Sequence, residues 1–594
     1  MITLKLFNSV LAKESNETKP YVSEDGYIVE PGALWAMNEI IQYYQTEKLN
    51  GNDLNKTFHK SWAKVLNSTR LELALHQILH YMSTYGSNFT DEIYIPYEVL
   101  KVPDVKVVFK VIRALSKEEL TEKCLDVLRS GMALKEETIT EVLSILHDEL
   151  DYQFTGKEGI TNKEAIIQLA DLYHIYPESP TEFLRYIVYK STGNTLLIKD
   201  KATIDAIKSS SYNPTVAFKQ FGLDRISTIF NRFKPIFLAY KSKSRKTVNK
   251  ISKLSKVNHK PMVQNPLNLV TQRALREEDM HWLENATPYS LFKALGACYS
   301  RIHGQDAFTY RIRNGKSWSM ERQTKKVVCY QNFDIIIDHI SSKFDFTGKM
   351  FYIPKNIEYA LPTSEKMYVG NIPTGTKFIG KKLAVGVYWE DSWGANDLDL
   401  SGISLDGEKV GWDASYRNAS GTLIYSGDIT SAPNGAVEYL YAGNGLNSPV
   451  LVSNNVFSGS DNCDYKIIVG KGNNVNENYM MNPNKLFAEV KTKSVQKQTI
   501  LGMFLPIEGE KDKQSFVILN FGAGSVRVSH NSRSVETARA ALYQQWENPI
   551  TLNYLIEVLG GTVINEAPED TEIEYVDLSL DTLERDTFIK LFKK

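Results

Sequence analysis

The chain has 594 residues, 42% of them hydrophobic and 23% charged, and its 69 Lys and Arg against 70 Asp and Glu leave a net charge of −1. That much apolar material excludes wholesale disorder, and the balanced charge excludes a polycation, so any nucleic-acid site must be a local patch. At roughly 150 residues per domain the length predicts about three or four domains. The four cysteines, Cys124, Cys298, Cys329 and Cys463, form no CxxC pair. This excludes a disulfide framework or zinc ribbon and points to a reducing compartment. Met1–Val10 lacks the basic start and apolar run of a signal peptide, and no stretch reaches the ~18 apolar residues of a membrane span. The expectation is a soluble, cytoplasmic protein with no membrane partner.

After an N-terminal segment (1–50), residues 51–345 read as an α-helical array. Leu71, Leu75, Ile78, Leu79 and Met82 share one helix face. Ser116 and Glu119 form a capping-box signal ahead of the stripe Leu120, Cys124, Val127, Leu128, which Gly131 ends. Ile139, Val142, Leu146 and Leu150 make the next stripe, and Ile166, Leu169, Ala170 and Tyr173 another. No strict period supports a named repeat.

Between Asn231 and Lys260 stand ten Lys or Arg and no acid: Arg232, Lys234, Lys241, Lys243, Arg245, Lys246, Lys250, Lys253, Lys256 and Lys260. Phe233, Phe237, Tyr240 and His259 are interleaved. Such a patch attracts phosphate backbones, and aromatic rings add stacking on unpaired bases. A second basic block contains Arg301, His303, Arg311, Arg313, Lys316, Arg322, Lys325 and Lys326, with Tyr310 and Trp318. On one face of a helical array the two would form a groove for RNA or DNA. An acidic protein surface and a plain solvated loop are the competing readings.

From residue 346 to 533 the texture changes to short alternating runs punctuated by Gly, Asn, Asp and Ser. Leu383–Trp389, Lys466–Val469 and Ser515–Leu519 read as strands of an antiparallel sandwich. Helix resumes near Arg533, with a second helix around Leu552–Leu559, in a C-terminal segment (534–594) whose tail is acidic. The fold class is therefore α+β.

The most informative stretch is Asp397–Glu408, where Asp397, Asp399 and Ser401 put oxygen side chains at alternate positions. Three readings compete. The letters fit an EF-hand loop, with Gly402 sixth and Glu408 twelfth, but strand-like runs flank it instead of helices. An aspartyl-nucleophile phosphotransferase also uses DxDx[TS], but there the motif leaves a strand and here it enters one. The third reading is a strand with a small offset near Gly402. Leu398, Leu400, Ile403 and Leu405 would be core, and Asp397 and Asp399 would share a side where a divalent cation relieves their repulsion.

The run Asn396-Asp-Leu-Asp-Leu-Ser401, Leu405-Asp406 with Lys409-Val410, and Tyr425-Ser-Gly-Asp428 resembles the TerD family, named for tellurite resistance in bacterial stress operons. The resemblance covers roughly 380–530. Asn396 stands in place of a Gly, Tyr425 in place of a His, and only Glu438 remains of the family's acidic turn. The resemblance implies a TerD-like sandwich binding one or two Ca²⁺ ions, with Asp397, Asp399, Asp428 and Glu438 as ligand candidates and Asp406 equally a turn residue. A fainter resemblance links Phe58–Trp62, the Leu71–Gly86 helix and Tyr310–Gly315 to helical modules of TerD-linked bacterial proteins proposed to bind RNA.

His76 and His80 lie four apart on a helix without the Glu of a zinc protease, and read as a packed or capping pair. No P-loop, Gly-x-Ser-x-Gly elbow or activated thiol appears, so an enzyme is not the leading reading; a hydrolase with a carboxylate-bound metal is the weakest one. The leading expectation is a cytosolic Ca²⁺-binding stress-response or scaffold protein whose helical half binds RNA or another polyanion. The alternative is a phage or bacterial assembly protein that uses the sandwich to dock protein partners or itself.

Overall fold

The computed structural model describes residues 1–24, 26–85, 94–96, 98, 100–103, 110–311, 317–472, 477–522, 532–569 and 572–593. The fold is α+β, with helices concentrated in the first half and antiparallel sheets in the second.

Two sheets form the sandwich. The larger runs in the order Lys409–Gly411, Ala395–Ser404, Val450–Gly459, Gln498–Pro506, Gln514–Gly522, Lys377–Gly380, Ile357–Glu358. The smaller runs Leu423–Tyr425, Ala436–Ala442, Leu383–Trp389, Asp464–Gly472, Met481–Lys493. Every neighbouring pair in both is antiparallel. Gly402 on the larger sheet lies where a Cβ would stand 3.2 Å from Leu440 of the smaller, so the sheets meet closely there. Leu398 and Leu400 are fully buried on the larger sheet, and Glu438 and Leu440 face that sheet from the smaller one. All three expected strands are present: Leu383–Trp389 has the expected bounds, and the other two extend to Asp464–Gly472 and Gln514–Gly522.

In the first half, Ser116 and Glu119 make the expected capping box on the Lys117–Arg129 helix, and the stripe behind it is buried. Not all of this half is helical. Ser9–Leu11, Lys110–Leu115, Tyr27–Val29 and Tyr21–Val22 form a four-stranded sheet in that order, with parallel pairing on both sides of Lys110–Leu115. Parallel partners need no shared turn, so short strands far apart leave little local signal. Ala307–Arg311 and Ser317–Glu321 pair as a hairpin where the second basic block was expected on helices.

The C-terminal segment is no free tail. Thr562–Ile564 and Val576–Asp577 flank Met350–Tyr352 in a parallel three-stranded sheet. Phe592 packs on Phe292 and Phe344, with ring centroids 4.6 and 5.4 Å apart. Buried Glu584 and Asp586 pair with Lys123 and Lys590. The expected helices lie at Ser532–Glu547 and Leu552–Val558.

Candidate metal centre and basic surfaces

Asp397 and Asp399 lie on the Ala395–Ser404 strand. A continuous strand through both residues rules out the helix-flanked loop of an EF-hand, and its antiparallel neighbours rule out the parallel strand of an aspartyl phosphotransferase. The offset expected near Gly402 is not there, since pairing with Val450–Gly459 is regular from Leu398 to Ser404; the register slips instead on both sides of Asp397, between Ala395 and Leu398. This bulge re-aims Asp397, as bulges do at sheet rims. Asp428 arrives from the loop after Leu423–Tyr425, next to Gly427 at φ +98°, a left-handed conformation that Gly adopts without strain.

The three aspartates converge. One carboxylate oxygen from each of Asp397, Asp399 and Asp428 lies within 4.8 Å of the others. Each residue is only 2% exposed. Asp397 Oδ1 and Asp428 Oδ1 are buried with no hydrogen-bond partner among the described residues. An orphaned buried acceptor costs about 1–3 kcal/mol, more when charged. Burial, then the neighbouring Asp428 carboxylate, pushes Asp397 up to about 7. Burial, then Asp397, pushes Asp399 up to about 8. Burial pushes Asp428 up to about 6, opposed by the Tyr81 hydrogen bond. A hard cation answers this arrangement with charge and with ligands of the right kind, all oxygen.

Glu438 does something else. Its Oε2 accepts from the Leu400 N–H at 2.9 Å and the Tyr425 hydroxyl at 2.7 Å, and its Oε1 accepts from the Ile429 N–H at 2.9 Å. It bridges the two sheets and anchors the loop that carries Asp428. The three-carboxylate cluster does not include it. Tyr425, which stands where the TerD pattern has His, is thus tied to Glu438. Asp406 is an exposed turn residue.

The carboxylate face of the strand is covered, not open. The Arg70–Tyr85 helix lies over it. Tyr81 donates to Asp428 Oδ2, and Tyr85 donates to Asp397 Oδ2 at 3.3 Å. Gln77 donates to the Asp428 carbonyl at 3.3 Å and accepts from the Tyr416 hydroxyl. His80 sits buried between the Tyr94 carbonyl, 3.1 Å from Nδ1, and the Thr430 hydroxyl, 3.0 Å from Nε2. From the sandwich side, Asn455 donates to Asp399 Oδ2 at 2.9 Å. The helix therefore buries its polar stripe, and Leu71, Leu75, Ile78, Leu79 and Met82 face solvent. Sequence reasoning missed these phenols; the spacing of Gln77, Tyr81 and Tyr85 on one helical face was the available signal.

The first basic stretch forms the Lys234–Ala239 and Arg245–Asn258 helices. Three of its four rings are not stacking platforms, and only His259 is exposed. Phe233, Phe237 and Tyr240 are buried in a separate hydrophobic core with Ile187 and Ile251. Lys243 is also structural, donating to the Ile207 and Lys208 carbonyls at 2.7 and 2.9 Å. Arg232, Lys234, Lys241, Arg245, Lys246, Lys250 and Lys253 are exposed. Arg311 is the last residue of the Ala307–Arg311 strand, and Arg313 lies outside the described residues.

Among the described residues all four cysteines are buried and unpaired, and no helix is long and apolar enough to cross a membrane. No protein-family model, curated protein or solved structure matches this chain.

Proposed function

We propose that this is a non-enzymatic, cytosolic Ca²⁺-binding scaffold of TerD type, whose helical half presents cations to RNA or another polyanion. One observation carries the metal part: two orphaned carboxylate oxygens inside a covered cluster of three aspartates. Asp397, Asp399 and Asp428 would hold the ion, which supplies compensating charge and no chemistry on a substrate. The polyanion part is supported by the exposed cations of 232–253, a stretch that contains no acid. Calorimetric titration of metal-stripped protein with Ca²⁺ and then Mg²⁺ tests the metal part. Saturable Ca²⁺ binding, lost in the Asp397→Asn, Asp399→Asn double variant, is expected. Absence of binding by the parent would leave the sandwich a packing module only.

The apolar outer face of the Arg70–Tyr85 helix favours a second reading, an assembly protein that associates through that face. Sedimentation at rising protein concentration separates the two: the scaffold stays monomeric without polyanion, and the assembly protein self-associates.

A further inference from the structure

A second concavity lies well away in sequence from the aspartate cluster. It is a cleft of about 380 Å³ between the Pro288–Ile302 helix, the Ala307–Arg311 strand, the 322–325 segment and the 265–272 loop. Its charged lining is all of one sign. Lys293, Arg301, Arg322 and Lys325 contribute, and no carboxylate lines it. None of the four is ion-paired to an acid among the described residues.

The placement of these cations follows from local structure. Lys293, Ala297 and Arg301 are spaced i, i+4, i+8, so they share one helix face. Phe308 and Tyr310 alternate on the strand and share one side of it. The Arg301 guanidinium lies 4.7 Å from the centre of the Phe308 ring, and its Nη1 donates to the Ala297 carbonyl at 2.8 Å, which fixes its orientation. Lys325 is steadied by the Gln272 carbonyl, 3.0 Å from Nζ. Arg301 is half-buried, and burial, with a further contribution from the like charge of Arg322, weakens its hold on its proton. Cations gathered around a concavity with no counter-charge repel one another, and a polyvalent anion removes that repulsion while matching the guanidinium forks.

We propose that this cleft binds the phosphate groups of a small phosphorylated molecule, held between Arg301 and Lys293 on the helix and Arg322 and Lys325 on the facing segment. The volume suits a ligand the size of a pyrophosphate or a mononucleotide. The site is independent of the Ca²⁺ reading and stands if that reading fails.

The test uses the full chain and calorimetry with inorganic pyrophosphate and with ATP, at constant ionic strength. Saturable binding of pyrophosphate is expected. It should weaken by at least about tenfold in the Lys293→Gln, Arg322→Gln double variant, which changes two exposed side chains and should melt like the parent. If that variant melts early, Lys325→Gln alone serves, with the same direction of effect. A third arm compares one oligoribonucleotide with and without a 5′-phosphate. Absence of saturable heat with both phosphate probes overturns the proposal, as does binding that the variants leave unchanged. Oligoribonucleotide binding that ignores the 5′-phosphate, with no response to pyrophosphate, overturns it too and makes the cleft part of an extended nucleic-acid surface.

Discussion

The Tyr81 phenol donates a hydrogen bond to the Asp428 carboxylate, joining residues 347 positions apart and closing the aspartate cluster with a helix from the other half of the chain. Hydrogen bonds to charged groups contribute about 1.5–3 kcal/mol. Tyr81→Phe should therefore speed amide exchange along residues 70–85, and the increase should be larger in chelator than in Ca²⁺. Exchange followed by mass spectrometry checks this, and unchanged protection would mean that the helix is held elsewhere.

Removing the metal should destabilise the parent, because Asp397, Asp399 and Asp428 then face one another without compensation. The Asp397→Asn, Asp399→Asn variant should behave oppositely. It should melt higher than the parent in chelator, since two buried charges are gone, and should gain nothing from Ca²⁺. Melting curves of both proteins in the two conditions give the comparison.

Glu438 should respond as a structural residue. Glu438→Gln puts an amide where an acceptor now takes two backbone N–H groups and a phenol. One donor must face another, at a cost of about 1–3 kcal/mol. Urea unfolding should report that loss equally with and without Ca²⁺. A loss confined to the Ca²⁺ condition would make Glu438 a ligand after all.

His59 supplies a pH dependence. It is fully buried, neither ring nitrogen has a partner among the described residues, and burial, then His76, lowers it to about 3. The unfolded chain takes up this proton near pH ~6.5, before the folded one does. Stability from this group is complete above that pH and falls as the pH drops toward 3, by about 1.4 kcal/mol per unit. His59→Phe should flatten the fall in unfolding free energy between about pH 6 and pH 4 by that slope.

The cationic face predicts a salt effect. Replacing Lys246, Lys250 and Lys253 with Gln should weaken single-stranded RNA binding at low salt. It should also reduce the slope of log affinity on log salt by about 2. An unchanged slope would place the RNA elsewhere.

The sandwich was legible because its strands alternate or run continuously apolar between turn residues, as at Leu383–Trp389, where every position is buried. The aspartate pair was legible because a strand places alternate residues on one side. What covers them was not. The Arg70–Tyr85 helix has its apolar stripe where a pattern reader expects the core, and the opposite orientation is set by Gln77, His80, Tyr81 and Tyr85 finding partners that only the folded sandwich supplies. Basic residues showed where positive charge accumulates, but not that Lys243 is spent on a helix end or that Phe233, Phe237 and Tyr240 turn inward. The acidic C-terminus read as solvated because its partners, Lys123 and Met350–Tyr352, lie hundreds of residues away.

That inverted helix has a thermodynamic consequence. Leu71, at 69% exposure, and Leu75, Ile78, Leu79 and Met82 stay in contact with water in the seat the helix occupies, and of its leucines Leu73 alone is buried. Its grip on the sandwich is made largely of directional polar contacts, for which water is a direct competitor and which carry little of the heat-capacity signature of apolar burial. Lifting the helix would therefore leave the heat capacity nearly unchanged, unlike the opening of a conventionally packed helix, and its release temperature would follow the ionic conditions around the aspartates more closely than it follows the melting of the sandwich core.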